Sequence, residues 1–198
     1  MPGTPPVVKN LIILNVLMLM AAKMLPIGKF LYAWGALYPV GSEMFHSWQA
    51  VSYMFLHADF SHLFFNMFVL WMFGRTLEYE LGSKRFLIYY MACGIGAALI
   101  QMLVCWLEGS FVSTVGASGA IFGILLAFGM MHPNNIIMLM FPPIPLKAKW
   151  FVIIYGLIEL FAGVSGRMDN VAHFAHLGGM IWGWLLLRYW KKTGKIFY

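Results

Sequence analysis

Six apolar stretches, separated by connections rich in polar residues, glycine or proline, set the pattern of the chain. The pattern predicts helices at residues 7–25, 62–79, 86–107, 118–131, 150–164 and 171–190. A helix needs about 20 apolar residues to cross the ~30 Å hydrocarbon core of a bilayer, and the third and sixth segments reach this length comfortably. The fourth reaches only about 21 Å, roughly 9 Å short of a full span. We therefore predict an all-α, polytopic membrane protein with a bundle of six transmembrane helices.

The connections favour one membrane domain over residues 1–198. No internal repeat occurs, and no hydrophilic stretch is long enough for a second domain. The longest connection, residues 26–60, mixes aromatic side chains with few charges, which is typical of a loop in the membrane interface. Pro133 ends the fourth helix, and three prolines interrupt the apolar stretch that follows, so residues 136–146 are predicted as a second interfacial loop.

Composition and charge agree with this topology. Hydrophobic residues make up 62% of the chain and charged residues 10%, far from the balance of a soluble domain. If both termini are cytoplasmic, all 13 Lys and Arg residues except Lys23, Lys29 and Arg167 fall on the inner side, as the positive-inside rule requires. The first segment resembles a signal peptide, but this charge bias favours it as a span. Basic residues flank the spans and form no single patch, so nucleic acid is not an expected partner.

Polar side chains inside apolar segments are costly in lipid and are therefore functional candidates. The candidates are His62, Asn66, Ser118, Glu159, His173 and His176. Five of them lie near the outer ends of the second, fourth and sixth helices, and His176 is expected about 9 Å below the surface, at the depth where the short fourth helix begins. A loop of small residues, 113–117, must descend to that helix, and polar backbone at such depth needs cover from protein or a water-filled cavity.

The pair Ser118 and His176 carries the chemistry of acyl transfer. Gly119 and Gly123 share one face of the fourth helix, and Gly179 and Gly183 follow His176 on the sixth, so the two backbones can approach closely. An imidazole within hydrogen-bond distance can take the serine proton and return it to a leaving amine.

Donors for the oxyanion are expected beside the pair. His62 and Asn66 share a face of the second helix, and the Ser118 amide opens the fourth. An acidic partner for the histidine is missing, because Asp169 lies too close to the surface. We therefore predict a dyad of Ser118 and His176.

Three motifs resemble the rhomboid family of intramembrane serine proteases. GASGAIFG at 116–123 is similar to the family's GxSGxxxG, and HLFFN at 62–66 precedes it and AHLGGMIWG at 175–183 follows it in the order that matches the family. The resemblance covers essentially the whole six-helix core. It implies an endopeptidase that cuts transmembrane segments of membrane proteins through an acyl-enzyme intermediate, without cofactor or metal.

The resemblance also assigns roles. It implies Ser118 as nucleophile, His176 as base, and His62, Asn66 and the Ser118 amide as oxyanion donors; the positioning residues are Gly116, Gly119, Phe122 and Gly179. The small core resembles bacterial members, which implies the inner (cytoplasmic) membrane with the site opening to the outer side.

Two positions depart from the family pattern. The family often has Trp-Arg in the first loop, whereas Gln49 follows Trp48 here, so loop anchoring through arginine is not expected. Phe122 stands where the family often has Tyr, and it can still stack against His176.

Other interpretations stay open at this stage. Four histidines, His57, His62, His173 and His176, could serve a metal transporter or metalloprotease, although HExxH is absent. An inactive relative that binds transmembrane clients is a third class. His173 is a packing or hydrogen-bonding neighbour or a catalytic participant, and Glu159 is a gate or a side chain that reaches to water. Cys93 and Cys105 lie about 18 Å apart on the third helix and cannot form a disulfide.

Overall fold

The computed structural model describes residues 3–138, 143–165 and 173–196, most of which are helical. The helices are α1 Pro6–Met24, α2 Gly28–Gly35, α3 Gln49–Ser52, α4 Phe60–Val69, α5 Arg75–Leu81, α6 Ser83–Glu108, α7 Ser118–Met131, α8 Ala148–Ser165 and α9 His173–Lys192. A 3-10 turn, Tyr53–Phe55, follows α3, and a π-helical segment, Leu70–Gly74, joins α4 to α5. The predicted second helix is therefore the continuous run α4–α5.

Helices occur at all six predicted segments, and α7 has the predicted bounds of 118–131. Residues 171–172, the predicted start of the last helix, lie outside the described residues. Among the described helices, α1, α6 and α8 are long and apolar enough to cross a membrane, and α7 is a shorter apolar helix. The number of six crossings and the cytoplasmic termini stay predictions.

The expectation that both long connections are loops is wrong in part. Helices α2 and α3 lie within residues 26–60. Strands β1 Ile136–Met138 and β2 Pro145–Lys147 pair antiparallel, with Ile136 opposite Lys147, so the fold is not purely α. The prolines end the apolar stretch as expected, but β-branched Ile136 and Ile137 favour strand, and Pro145 is tolerated at a strand terminus.

Helix α7 lies at the centre of the fold, because it is buried along most of its length and packs mainly against α6 and α9. Glycines permit this packing. A Cβ on Gly123 would lie 2.4 Å from Sγ of Cys93 on α6, so the two helices could not approach this closely with a side chain at that position. The two cysteines are free, as predicted from their separation along α6.

A buried carboxylate attaches the first helix to the rest. Glu78 on α5 accepts hydrogen bonds from the amides of Val7 and Val8, at 2.9 and 2.7 Å. It also accepts one from Oγ of Ser83 at 2.6 Å. An anion at the amino end of α1 satisfies amides that have no acceptor within the helix and complements its dipole.

Gln49 anchors the first connection. Its side chain is fully buried, and Oε1 accepts from the amides of Tyr38 (3.3 Å) and His46 (3.1 Å). Its Nε2 donates to the carbonyl oxygens of Met44 (2.8 Å) and Trp34 (3.3 Å). One neutral side chain therefore bonds four backbone groups of the connection, so anchoring does not require a cation.

Gln49→Leu is expected to lower the free energy of unfolding by about 2–4 kcal/mol, because it leaves buried backbone groups without partners. The measurement is thermal or chemical unfolding in detergent. Ser42→Ala is the matched control, since it removes one exposed hydrogen bond, to the Met44 amide, from the same connection. Equal stability of Gln49→Leu and the wild type would contradict the anchoring role.

Candidate active site

Ser118 and His176 meet at the start of α7 and near the start of α9. Oγ of Ser118 lies 2.8 Å from Nε2 of His176, within the range of about 2.6–3.2 Å that proton transfer between such groups needs. The histidine side chain is buried, with 11% of its surface exposed. The spatial juxtaposition predicted from the sequence is present.

The close approach of α7 and α9 depends on Gly119 and Gly179. A Cβ on Gly179 would lie 1.8 Å from the carbonyl oxygen of Gly119. A Cβ on Gly119 would lie 2.4 Å from the Cβ of Ala97 on α6. Because no side chain fits at either position, the two backbones are in direct contact, and this contact brings the short serine side chain to the imidazole.

Phe122 stacks against the imidazole of His176. The ring centroids are 4.2 Å apart and the planes are inclined by 7°. Phe122 lies one helical turn after Ser118 on the same face of α7. The stacked ring therefore holds the imidazole of His176 next to the Ser118 hydroxyl. The stacking predicted for this position is present.

The segment before α7 is held by backbone hydrogen bonds. Thr114 and Leu37 exchange two bonds of 2.9 Å, and the Gly116 amide donates to the carbonyl oxygen of Tyr53 at 2.9 Å. Gly116 has φ +124°, which a side chain would strain, and a Cβ there would lie 2.7 Å from Nε2 of His62. Glycine at 116 therefore lets the His62 ring lie against this segment.

The remaining predicted residues line the same cavity. His62, Asn66, Ser118, Phe122 and His176 all border a space of about 900 Å³. Nδ2 of Asn66 donates to the carbonyl oxygen of His62 at 2.9 Å, which uses one of its two amide hydrogens. The first amides of α7 have no acceptor within the helix. Donation to an oxyanion stays a prediction.

Sequence reasoning gave His57 no role in acyl transfer, yet it borders this region. His57 is fully buried, and its Nε2 accepts from the Ala117 amide at 3.5 Å. Its ring lies edge-on to that of His62, with centroids 5.0 Å apart. Burial, together with the neighbouring His62, lowers the pKa of His57 to about 3, so the ring is neutral and able to accept a hydrogen bond. The signal available in the sequence was its position three residues before α4, the helix that carries His62 and Asn66.

The expectation that the histidine lacks an acidic partner is wrong. Oε2 of Glu159, on α8, lies 2.9 Å from Nδ1 of His176 and 2.6 Å from Nδ1 of His173. Glu159 is buried and bonded to both rings, an arrangement that does not favour a side chain extending to water, and His173 is a hydrogen-bonding neighbour of the acid. Asp169, the acid considered from the sequence, lies outside the described residues.

This cluster has donor atoms of the kinds that bind zinc. One ligand atom from each of Glu159, His173 and His176 lies within 4.8 Å of the others. The same arrangement is accounted for by two histidine N–H groups that donate to one carboxylate. The prediction that the site needs no metal stays a prediction.

Comparison with known proteins places these motifs in a family. Residues 44–192 match the family model of the Rhomboid domain. The chain is 33% identical to Rhomboid protein 1, mitochondrial, of Saccharomyces cerevisiae over 144 residues, 70% of this chain and 41% of that protein. It is 36% identical to RHOMBOID-like protein 5 of Arabidopsis thaliana over 141 residues, 71% of this chain and 44% of the relative.

A bacterial relative carries an activity in its name. Rhomboid protease GluP of Bacillus subtilis is 33% identical over 141 residues, which cover 69% of this chain and 24% of GluP. The alignments thus span less than half the length of each of these three relatives.

Proposed function

Because the chain belongs to the rhomboid family, we propose that it is an intramembrane serine endopeptidase that cleaves transmembrane segments of membrane proteins. The observation that carries the proposal is the 2.8 Å approach of Ser118 Oγ to His176 Nε2 at the wall of a cavity. A relative named as a protease, GluP, supports the same activity.

The reaction starts with Ser118 as nucleophile and His176 as base. Nε2 of His176 takes the hydroxyl proton while Oγ attacks the scissile carbonyl carbon, which forms a tetrahedral intermediate. Collapse of the intermediate breaks the C–N bond, and the imidazolium returns the proton to the leaving amine. The product is an acyl-enzyme at Ser118.

Three groups are proposed to stabilise the oxyanion: His62, Asn66 and the Ser118 amide. His62, Asn66 and Ser118 all border the cavity, and the Ser118 amide lies at the start of α7. Donors that are already in place before the charge develops cost no reorganisation in the transition state.

Hydrolysis of the acyl-enzyme needs water beside His176. The cavity of about 900 Å³ has polar groups along its wall, including Asp59, Gln101 and Glu108, which favour water inside it. Activated by His176, one water molecule attacks the acyl carbon, and Ser118 leaves with its proton restored.

The chain is an integral membrane protein, and its substrates are proposed to be transmembrane segments. The proposed location is a bacterial inner membrane, with both termini cytoplasmic, six crossings and the cavity open to the outer side. Relatives of the chain include mitochondrial and plant proteins, so membership of the family does not by itself identify the membrane in which this chain lies.

Labelling with a fluorophosphonate probe tests the proposal. We expect modification at Ser118 and its loss in His176→Ala, because the probe reacts with an activated serine hydroxyl. Ser113→Ala is the matched control: Ser113 borders the same cavity, and its hydroxyl should not be needed. Mass spectrometry maps the modified residue.

Failure to label Ser118 in the folded wild type would overturn the proposal and leave the client-binding relative as the better interpretation. Loss of proteolysis on treatment with a chelator, without labelling at Ser118, would favour a metalloprotease built on the Glu159 cluster.

A further inference from the structure

The orientation of the catalytic histidine is set by a carboxylate on a third helix. An ionised carboxylate only accepts hydrogen bonds, so the contact between Glu159 Oε2 and His176 Nδ1 requires the proton to sit on Nδ1. Nε2 then presents its lone pair to the Ser118 hydroxyl. This is the tautomer that a general base needs before attack.

We propose that Glu159 is a positioning residue that completes a Ser118–His176–Glu159 triad, an inference that rests on the proposed protease function. The carboxylate holds the imidazole in the productive tautomer and stabilises the imidazolium that forms when serine gives up its proton. The acid comes from α8, the base from α9 and the nucleophile from α7, so the triad ties three helices together.

His173 holds the carboxylate in place. It lies one turn before His176 on α9, and its Nδ1 is 2.6 Å from the same Oε2 of Glu159. Its side chain is only 7% exposed. A carboxylate oxygen bonded by two buried N–H groups has little freedom to turn away. The bond to His173 therefore keeps Glu159 Oε2 within hydrogen-bond distance of His176 Nδ1.

The packing of α8 makes this bond important. Only Ala148, Val152, Glu159 and Ala162 are buried in this helix, and much of its remaining surface is exposed and apolar. Gly163 permits the contact with α9, since a Cβ there would lie 3.3 Å from the Cβ of His173. Glu159 is thus the polar link in an otherwise apolar contact. A purely structural role would also explain a buried acid, so the test must separate positioning from stability.

Glu159→Gln keeps the shape and an acceptor oxygen but removes the charge. We expect kcat to fall by about 10²- to 10⁴-fold with little change in KM, and the rate of fluorophosphonate labelling at Ser118 to fall in parallel. His173→Leu, which leaves the Glu159–His176 bond in place, should lower kcat by a smaller factor. Glu159→Asp should recover part of the activity that Glu159→Gln loses.

Glu78→Gln is the matched control, because Glu78 is a buried carboxylate that is not among the residues bordering the cavity. It is expected to lower the unfolding temperature while kcat of the folded protein and Ser118 labelling stay near the wild-type values. A merely structural Glu159 would behave like Glu78 in all three measurements, and that outcome would overturn the triad.

The result also separates the two proposals. If the wild type is labelled at Ser118 and Glu159→Gln has unchanged kcat, the triad proposal is overturned and the protease proposal stands. If the wild type is not labelled at Ser118, the protease proposal itself is overturned.

If Glu159→Gln fails to fold, ¹⁵N spectra of the histidine-labelled wild type, assigned with His176→Ala, test the triad instead. Protonation of His176 at Nδ1 in the resting protein supports the triad, and protonation at Nε2 overturns it.

Discussion

Ser118→Ala is expected to lower kcat for cleavage of a transmembrane substrate by about 10⁴- to 10⁶-fold. The substitution removes the oxygen that we propose as the nucleophile and one hydrogen bond, to His176, and it adds no volume. The fold should therefore be unaffected, and the unfolding temperature should stay within a few degrees of the wild type. Cleavage is measured with purified protein and a membrane substrate in detergent or liposomes.

The control for Ser118→Ala is again Ser113→Ala, which removes a hydroxyl from the same cavity wall. It should retain most of the wild-type rate. Full proteolysis by Ser118→Ala would show that the nucleophile is assigned to the wrong residue, whatever the labelling experiment gives.

Gly179→Ala is expected to abolish activity by a different route. The added methyl group would lie 1.8 Å from the Gly119 carbonyl oxygen, so α7 and α9 must separate. The obstacle is backbone, which cannot turn aside as a flexible side chain can. Overpacking of this kind costs about 1–3 kcal/mol or more, and the separation also lengthens the Ser118–His176 distance. Unfolding in detergent and Ser118 labelling measure the two effects.

Gly156→Ala is the matched control for the glycine substitution. A methyl group on Gly156, in α8, would meet only the flexible end of Met180, with Cε at 3.3 Å. Stability should change little, because methionine can move and alanine favours helix. If Gly179→Ala were as stable and as active as Gly156→Ala, the close contact between α7 and α9 would not be essential.

The long helices and the serine–histidine pair could be predicted because their signals lie in single segments. Apolar length defines a helix such as α6 without knowledge of its neighbours. Ser118 and His176 are polar residues in apolar segments, and their depths follow from rise per residue along each helix. The equal depth expected for Ser118 and His176, together with the glycines beside them, was enough to predict that the two side chains meet.

The contact of Glu159 with His176 could not be predicted, because the depth of a residue along a helix does not give the direction in which its side chain points about the helix axis. Glu159 was recognised as unusual, and nothing in the sequence reports which way α8 turns it about the helix axis. That rotation follows from packing against α9, where Gly163 and His173 come together.

The short elements escaped prediction for a related reason. Helices α2 and α3 lie in an aromatic connection whose pattern is neither clearly helical nor clearly extended. Its conformation depends on the buried bonds of Gln49, which join residues up to 15 positions apart. Interactions of this range decide local structure only after the chain has folded.

The carboxylate of Glu78 has a consequence for how the protein can be processed. The amides of Val7 and Val8 are partners of this buried acid. A signal peptidase that cut after α1 would remove both amide donors and leave the carboxylate with only the Ser83 hydroxyl among the three donors described above, and the loss of partners for a buried charge is costly. We therefore expect cleavage after α1 to destabilise the fold, although the basic and then apolar sequence of the first helix resembles a secretion signal.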